Sequence, residues 1–437
     1  MNTITAKFGG SSLANADQIR KAAAIIKADP ARRFVVASAP GKRTGSDIKV
    51  TDLLYRCYDA AAAGADYSAV LEQIRGRFEE IIRDLAVDFD LDAEISVIRA
   101  HLENGPQRDY MASRGEYLNS KILAAFLGFA FLDTAPLVCF SADGHFDDAR
   151  TDSALRGALA GVERAVLPGF YGADETGKIH TFSRGGSDVT GSLVARAADA
   201  SLYENWTDVS GMLFTDPRIV DNPRTIEYIT YRELRELSYM GASVLHEDAV
   251  FPVRKAGIPI NIRNTNRPED AGTMIVAELP AGVPLQNLTG IAGRSGFSSI
   301  LVEKSMMNSE VGFGARLLGI IASHGVPFEH CPTGIDSMSV VVSSAEFRES
   351  KEAVLQQIRH DLNPEFISVE NGLSMIAMVG HGLVSAKGSA ARMFRALADA
   401  NINIRMIDQG CSEMTIIIGV DDADYANAVR AIYRAFA

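Results

Sequence analysis

Hydrophobic and polar residues follow two periods along the first 265 positions, one typical of strands and one typical of helices. NTITAKF at the start alternates with period two, and NADQIRKAAAIIKAD after it repeats its apolar residues with a period near 3.6. Asn15 and Gln18 form a capping-box pattern at the start of this predicted helix. Further short strands are predicted at RFVVAS, PLVCF, RAVLPGF, KIHTF, LYENW and PINIRN.

Helical periodicity fills the sequence between these strands. The strongest helix is predicted over Tyr110–Phe129, and others over residues 50–64, 67–104, 231–240 and 245–256. Strands that alternate with helices favour a mostly parallel sheet covered by helices on both faces. The sequence therefore predicts an α/β domain over residues 1–280.

The pattern changes after ELPAGVPLQN, which has the two prolines and the glycine of a linker. Residues 295–371 follow the order βαββαβ, and residues 372–437 begin the same order again. GARLLGIIASHGVPFEH resembles AARMFRALADANINIRM, which lies 76 residues later. We therefore predict two ferredoxin-like modules, one inserted within the other. Residues 281–294 are predicted to form a linker and an edge strand. Within them, residues 288–294 would supply the last strand of the second module.

Length and charge restrict the functions that this chain can have. Its 437 residues exceed the roughly 250–300 residues of a single core, so two or three domains are expected. The 43 basic and 55 acidic residues give a net charge of −12, and no basic block is present. Nucleic acids and anionic membranes are therefore not expected as partners.

Two further features predict a cytoplasmic protein. The longest apolar run, Ile122–Leu132, is far shorter than the roughly 20 residues that span a bilayer, and the start lacks a signal-peptide pattern. The four cysteines are scattered, without the spacing of a zinc site or a disulfide framework.

Two glycine turns are the first candidates for chemistry. KFGGSS, which begins at Lys7, follows the first strand, and SRGGSD, which ends at Asp188, follows KIHTF. Each can be a plain turn or a phosphate-binding loop made of backbone N–H groups. In the second turn, Asp188 or Ser187 can cap the helix that follows. If both strands belong to one parallel sheet, the two turns lie on the same rim, where such sheets bind ligands.

Other candidate residues have an ordinary structural interpretation as well. WTDVSG and TDPR follow a strand, and their acidic and basic residues can be turn residues only. Glu116, between Arg114 and Asn119 in the long helix, can be a solvated helix charge. A GxSxG elbow and a Ser-His-Asp order are missing, so the sequence does not support a hydrolase. The protein alone is not expected to supply a metal site.

KFGGSS, SRGGSD and WTDVSGMLFTDPR, in this order and spacing, resemble the aspartokinases of the amino acid kinase family, and the two tail modules look like ACT domains. The resemblance implies an amino acid kinase fold and the reaction of ATP with L-aspartate to give ADP and 4-phospho-L-aspartate. This reaction is the first step towards lysine, threonine and methionine. The implied cofactors are ATP and Mg²⁺.

The resemblance also implies roles for individual residues. Lys7 matches the lysine that holds the ATP phosphates during transfer, and Asp188 matches the aspartate that orients it. Glu116 matches the residue that meets the ammonium group of aspartate, and Arg184 the one that meets its α-carboxylate. The other implied substrate contacts are Thr51, Gly185, Gly186 and Ser187.

The implied nucleotide contacts are Lys7, Gly9, Gly10, Ser11, Thr207, Asp208, Leu213, Arg218 and Ser243. Many members of the family have a lysine where this chain has Ser243, so one cation is missing from the phosphate site. Lys42, Lys49, Lys255 or the metal ion are the candidates that would replace it.

The tail has two interpretations, a dimerisation platform or a feedback site formed between subunits. The ACT resemblance implies an end-product amino acid as effector, with lysine first and threonine second, and a homodimer or larger assembly. The implied regulatory contacts are Met307, Phe313, Gly314, Pro327, Phe328 and Glu329. Two alternatives to the aspartokinase remain open: a kinase for another carboxylate such as glutamate, and an amino-acid sensor without activity.

Overall fold

The computed structural model describes residues 2–183, 185–242, 245, 247–284, 286–384, 386–410 and 414–436. The chain forms two compact units. The first consists of residues 1–212, 225–231 and 244–281, and the second of residues 213–224, 232–243 and 282–437. Residues 213–224 and 232–243 lie within the domain predicted over residues 1–280, but they belong to the same unit as the tail. Within the described residues, no helix combines the length and the apolar character needed to cross a membrane.

The first unit is built around an eight-stranded sheet with the order β3-β4-β2-β1-β7-β9-β10-β8. Its strands, with those of a separate hairpin, are β1 (Ile4–Phe8), β2 (Arg32–Ala37), β3 (Ala130–Phe131), β4 (Ala165–Pro168), β5 (Tyr171–Ala173), β6 (Ile179–Thr181), β7 (Leu202–Thr207), β8 (Tyr228–Thr230), β9 (Ile260–Asn264) and β10 (Thr273–Val276). All neighbours in the sheet are parallel except β9 and β10. This confirms the predicted α/β fold with a mostly parallel sheet.

Helices cover both faces of this sheet. The helices up to the start of the tail are α1 (Ala16–Ala28), α2 (Val50–Ala62), α3 (Ser68–Leu85), α4 (Leu91–Glu103), α5 (Arg108–Leu127), α6 (Asp148–Ala160), α7 (Gly186–Ala197), α8 (Tyr231–Tyr239) and α9 (Glu247–Lys255). Successive side chains of β2 point to opposite faces. Val35 therefore packs in a core with α1–α5, and Val36 packs in a second core with α6 and α7.

Two predictions for this part of the chain need correction, and the helical prediction for residues 67–104 is confirmed in more detail. PLVCF does not form a regular strand: the N–H groups of Leu137 and Val138 bond to the carbonyl of Thr134 and turn the chain, and Cys139 and Phe140 make only isolated β-bridges. KIHTF forms β6, but β6 pairs only with β5 in the hairpin and lies outside the parallel sheet. Residues 67–104 form two helices, because Ala86 adopts a left-handed conformation (φ 54°) that ends α3.

The second unit contains a six-stranded sheet with the order β12-β13-β11-β14-β16-β15. Its strands are β11 (Gly290–Glu303), β12 (Phe328–His330), β13 (Ser337–Ser343), β14 (Phe366–Val379), β15 (Met406–Asp408) and β16 (Thr415–Asp421), and its helices are α10 (Phe313–Ser323), α11 (Ser344–Phe347), α12 (Lys351–Leu362), α13 (Ser389–Asp399) and α14 (Tyr425–Phe436).

Two long strands run through both halves of this sheet. Residues 297–303 of β11 pair with β13 and with the first half of β14, as in one βαββαβ module. Residues 290–294 of β11 pair with 375–379, so the segment before the first module lies beside the strand that opens the second. The predicted strands EFISVE and SMIAMVG are thus one continuous strand, β14.

Candidate active site

A buried ion pair lies where β1 ends. Lys7 is next to last in β1, and its Nζ lies 2.5 Å from Oδ1 of Asp188 in the first turn of α7. Asn205 of β7 stands beside Lys7 in the sheet, donates to Asp188 Oδ1 (2.7 Å), and accepts from Lys7 Nζ (3.4 Å). A buried ammonium is costly unless it is paired and hydrogen-bonded, and both conditions are met here.

The turn before α7 lies beside Lys7, although β6, the strand that precedes this turn, is not part of the main sheet. The hairpin is held to α5 by a bond from the N–H of Thr181 to the Asp109 carboxylate (3.0 Å), and α7 packs directly on β1 and β2. Gly185 takes a left-handed conformation (φ 58°) immediately before the helix. A side chain at Gly169, after β4, would lie 2.6 Å from Ser187. The two glycine turns are therefore brought together by the packing of α7 on β1 and β2. The prediction that both turns follow strands of one parallel sheet is wrong.

The glycine turn after β1 packs tightly against the loop that follows β2. A Cβ atom at Gly10 would lie 2.9 Å from the carbonyl oxygen of Ala39, and the N–H of Gly41 donates to the Gly10 carbonyl (2.8 Å). The N–H of Gly9 is already bonded to the Trp206 carbonyl (2.9 Å), so it is not free to bind a phosphate. A short 3-10 helix starts at Gly10 and continues with Ser11. The first backbone N–H groups of a helix have no acceptor within that helix.

Glu116 is buried in the middle of α5 and directly follows Gly115, where a Cβ atom would lie 2.8 Å from the Cβ atom of Ala39. The Oε2 atom of Glu116 has no hydrogen-bond partner among the described residues. Removal from water raises the pKa of Glu116 to about 8. The predicted alternative, a solvated helix charge, is therefore wrong. A buried carboxylate oxygen without a partner is chemically suited to an ammonium group.

The backbone around Ala39 connects these features. Its carbonyl oxygen lies against the glycine turn, and its side chain lies against Gly115, the residue before Glu116 in α5. The next residue, Pro40, accepts a bond from the N–H of Val50 (3.3 Å), with which α2 begins. Thr51, half-buried in the first turn of α2, thus lies close in the fold to this loop.

The remaining predicted nucleotide residues are spread over the chain. Thr207 ends β7, its carbonyl accepts from the N–H of Thr265 (2.9 Å), and its hydroxyl contacts the exposed Asp208 (3.3 Å). Leu213 and Arg218 belong to the second unit, where the guanidinium of Arg218 is almost fully exposed and bonds to Asp216 (2.6 Å). Arg184 and Ser243 lie outside the described residues.

The predicted regulatory residues divide into buried and accessible ones. Met307 and Phe313 belong to the core between the helices and the sheet of the second unit, and Gly314 lies in the first turn of α10. Pro327 and Phe328 are exposed. Glu329 accepts hydrogen bonds from Arg294 Nη2 (2.9 Å) and from the hydroxyl of Tyr239.

Sequence reasoning missed two residues of the candidate active site. Asn205 bonds to both members of the ion pair, and Gly169 makes room for the turn before α7. Asn205 carried a signal, because it is a polar residue inside a strand between Tyr203 and Trp206, both buried. Gly169 carried none, since its partner is distant in the sequence.

The described residues also bear on the binding of a metal. They contain no group of three or more His, Cys, Asp or Glu side chains that could hold a metal ion. Mg²⁺ commonly binds through one or two carboxylates together with substrate phosphates. A single carboxylate beside bound phosphates would fit that mode. Asp188 is the carboxylate closest to Lys7, so it is the residue that would face such an ion.

Comparisons with known proteins place the chain among a set of related kinases. The model of the amino acid kinase family matches residues 2–264, and an ACT domain model matches residues 376–436. Aspartokinase 3 of Bacillus subtilis is 37% identical over 98% of both chains, and the lysine-sensitive aspartokinase 3 of Escherichia coli is 26% identical, also over 98% of both.

Solved structures agree with this relationship. The crystal structure of Clostridium acetobutylicum aspartate kinase covers 100% of both chains with a TM-score of 0.91 and 45% identity. Aspartokinase III of E. coli, in complex with aspartate and ADP, covers 99% of both chains with a TM-score of 0.74 and 25% identity.

Proposed function

Because the chain belongs to the aspartokinases of the amino acid kinase family, we propose that it transfers the γ-phosphoryl group of ATP to the side-chain carboxylate of L-aspartate. The products are ADP and 4-phospho-L-aspartate. The observation that carries the proposal is that Ala39 lies against both the glycine turn after β1, at Gly10, and the segment of α5 at Gly115, next to the buried Glu116. A nucleotide phosphate and a small amino acid bound to these two places would be neighbours.

Lys7 is the proposed phosphate-binding and catalytic cation. Phosphoryl transfer needs positioning and charge neutralisation more than covalent help from the protein. Asp188 and Asn205 hold the Lys7 ammonium at the end of β1, so it requires little reorganisation when the transferred group gains charge. The first N–H groups of α7, at Gly186 and Ser187, add donors without a net charge. When bound, Mg²⁺ supplies neutralisation of the phosphate charges, and Asp188 is its proposed protein ligand.

Glu116 is the proposed contact for the α-ammonium group of aspartate, with Thr51 close by in the fold and Arg184 assigned to the α-carboxylate. The Oε2 atom of Glu116 lacks a partner among the described residues, and an ammonium donor would satisfy it. Such a pair would place the substrate carboxylate beside the turn before α7, where Gly185, Gly186 and Ser187 are the other proposed contacts.

The proposed nucleotide contacts are Lys7, Gly9, Gly10, Ser11, Thr207, Asp208, Leu213, Arg218 and Ser243. The N–H of Gly9 is already bonded to Trp206, so the proposed contact of Gly9 rests on its position beside Lys7, whose ammonium would lie 3.6 Å from a Cβ atom at Gly9. The relative crystallised with aspartate and ADP supports aspartate as the substrate and an adenine nucleotide as the second ligand.

The test is substrate-dependent ADP release, with hydroxylamine trapping of the acyl phosphate. We expect turnover with aspartate and at least roughly a hundredfold lower kcat/KM with glutamate, because a site that fixes both ends of its substrate discriminates strongly against a changed length. Faster turnover of glutamate would favour the glutamate-type kinase. The absence of turnover with any carboxylate would favour a sensor.

We further propose that the second unit mediates assembly into a homodimer or larger oligomer and feedback inhibition, with lysine as first candidate effector and threonine as second. Several large apolar side chains in its first half are exposed, among them Val311 (94%), Met306 (71%) and Ile335 (70%). The N–H of Met306 bonds to the carboxylate of Asp336 (2.8 Å), so Met306 and Ile335 lie close together in the fold. Such a patch supports association. A cytoplasmic location remains a prediction.

Glu329 is the proposed effector contact that can be tested most directly, with Met307, Phe313, Gly314, Pro327 and Phe328 around it. Its carboxylate is mostly buried and is held by Arg294 and Tyr239. We expect Glu329→Ala to retain activity and to raise the lysine concentration for half-inhibition at least roughly tenfold, the scale of one charged hydrogen bond. Glu352→Gln on the exposed side of α12 is the matched control. Equal inhibition of wild type and Glu329→Ala would exclude Glu329 from this role.

A further inference from the structure

The two outer strands of the six-stranded sheet meet each other. β12 and β15 are at opposite ends of the strand order, but Nδ1 of His330 and Oδ2 of Asp408 are 2.7 Å apart. The sheet must therefore curl until its edges touch. The helices α10 and α12 pack on Ile300 and Val340, so the neighbouring residues Ser299 and Val341 point to the other, concave face.

This concave face encloses a cavity of about 280 Å³. Its walls come from five strands and from the segments that flank them. Apolar side chains form part of the lining, namely Val341, Leu373, Met406 and Ile407. The hydroxyl-bearing residues Ser299 and Ser339 form another part. Pockets for drug-sized molecules occupy roughly 300–1,000 Å³, so this volume suits a smaller metabolite.

Three charged residues stand at the mouth of the cavity. Nη1 of Arg405 bonds to Oδ1 of Asp421 (2.6 Å), and Nη2 bonds to the carboxylate of Glu370. Two carboxylates share one guanidinium, so this group carries a net charge of about −1. An ammonium group would balance that charge, and the hydroxyls of Ser299 and Ser339 are donors for a carboxylate.

We propose that this cavity is a binding site for a free aliphatic α-amino acid. The ammonium group of the ligand binds Glu370 and Asp421, its carboxylate binds the two serine hydroxyls, and its side chain contacts Val341, Leu373 and Met406. The site lies within one chain and between the two modules, so it needs no partner subunit.

The cavity is separate from the proposed effector contact at Glu329. Glu329 and its partners Arg294 and Tyr239 are not among the residues that line the cavity. His330 closes the concave face by its bond to Asp408, whereas Glu329 bonds to Arg294 and Tyr239. A ligand in the cavity would hold the edges of the sheet together and so link the two modules.

The experiment is calorimetric titration of the full chain with leucine, valine, threonine and lysine. Isopentylamine and 4-methylpentanoate serve as analogues that lack the carboxylate or the ammonium group. We expect an aliphatic amino acid to bind, and the analogue without an ammonium group to bind at least roughly tenfold more weakly, since it loses charged hydrogen bonds. No binding by any amino acid would overturn the proposal.

Two variants locate the site. Ser339→Phe fills the cavity, and the double variant Glu370→Gln/Asp421→Asn removes its negative charge; each should weaken binding at least roughly tenfold. Glu352→Gln is the control, and basal turnover of aspartate shows that each variant is folded. Binding that survives in both cavity variants but is lost in Glu329→Ala would overturn the proposal. So would a changed oligomeric state of Ser339→Phe without ligand binding, which would identify the face as an interface between copies of the chain.

Discussion

The substitution Glu116→Gln tests the chemistry of the proposed substrate site most sharply. Burial raises the pKa of the Glu116 carboxyl to about 8 in the free protein, so at neutral pH it is mostly protonated. An ammonium ligand favours the ionised form, so binding of aspartate must release this proton. The affinity for aspartate should therefore rise with pH up to about 8 and then level off.

The size of the effect follows from the same pKa. The ionised fraction of a group with a pKa of about 8 is roughly 1% at pH 6 and one half at pH 8, so the affinity should increase roughly 50-fold between these values. Glu116→Gln removes the proton linkage and one charged hydrogen bond. We expect its affinity to be at least roughly tenfold weaker than that of wild type at pH 8 and independent of pH from 6 to 8.

The stability of the protein provides a second readout. The folded-state pKa lies above the ordinary value of 4.5, so the folded protein holds this proton more tightly than the unfolded chain. The contribution to stability is complete below pH 4.5 and is lost as the pH rises to about 8. By pH 7 the loss amounts to about 3 kcal/mol, at 1.36 kcal/mol per pH unit.

The assays are calorimetry with aspartate at pH 6, 7 and 8 and urea denaturation over the same range without ligand. Glu103→Gln, at the exposed end of α4, is the matched control because its carboxyl lies in water. Wild type and Glu116→Gln should diverge in stability as the pH rises. Parallel stability curves, together with an aspartate affinity that does not depend on pH in wild type, would refute the reasoning.

Two further predictions concern the ion pair at the end of β1. Lys7→Ala should lower kcat by roughly 10²–10³-fold, the scale of one preorganised transition-state contact, and near-normal kcat in steady-state assays would remove Lys7 from the mechanism. Asn205→Ala should lower kcat by roughly tenfold, because it releases bonds to Lys7 and Asp188, while KM for aspartate stays unchanged. A change confined to KM would contradict the positioning role of Asn205.

Much of the fold is local information, and sequence periodicity predicted it. The long helix α5, the alternation of strands and helices, and the repeated βαββαβ order each follow from the spacing of apolar residues. Glycine, lysine and acidic residues at the turns indicated where chemistry was to be expected. These signals are visible in the chain because each depends on a few neighbouring residues.

Other features depend on contacts between distant segments. KIHTF has the composition of a sheet strand, but its pairing with β5 removes it from the main sheet, and register is a property of two segments together. The bond between Lys7 and Asn205 likewise joins residues 198 positions apart in the sequence.

Local patterns in the chain predicted most of the helices and strands and the charged residues at the turns. The packing of distant segments fixes which turn faces β1, how deeply Glu116 is buried, and that the edges of the tail sheet close on a cavity. The physical reason is that periodicity reports only the local preference of the backbone. Desolvation, ion pairing and cavity shape arise when segments distant in the sequence, such as the pairs 78 and 198 positions apart at His330 and Lys7, exclude water from one another.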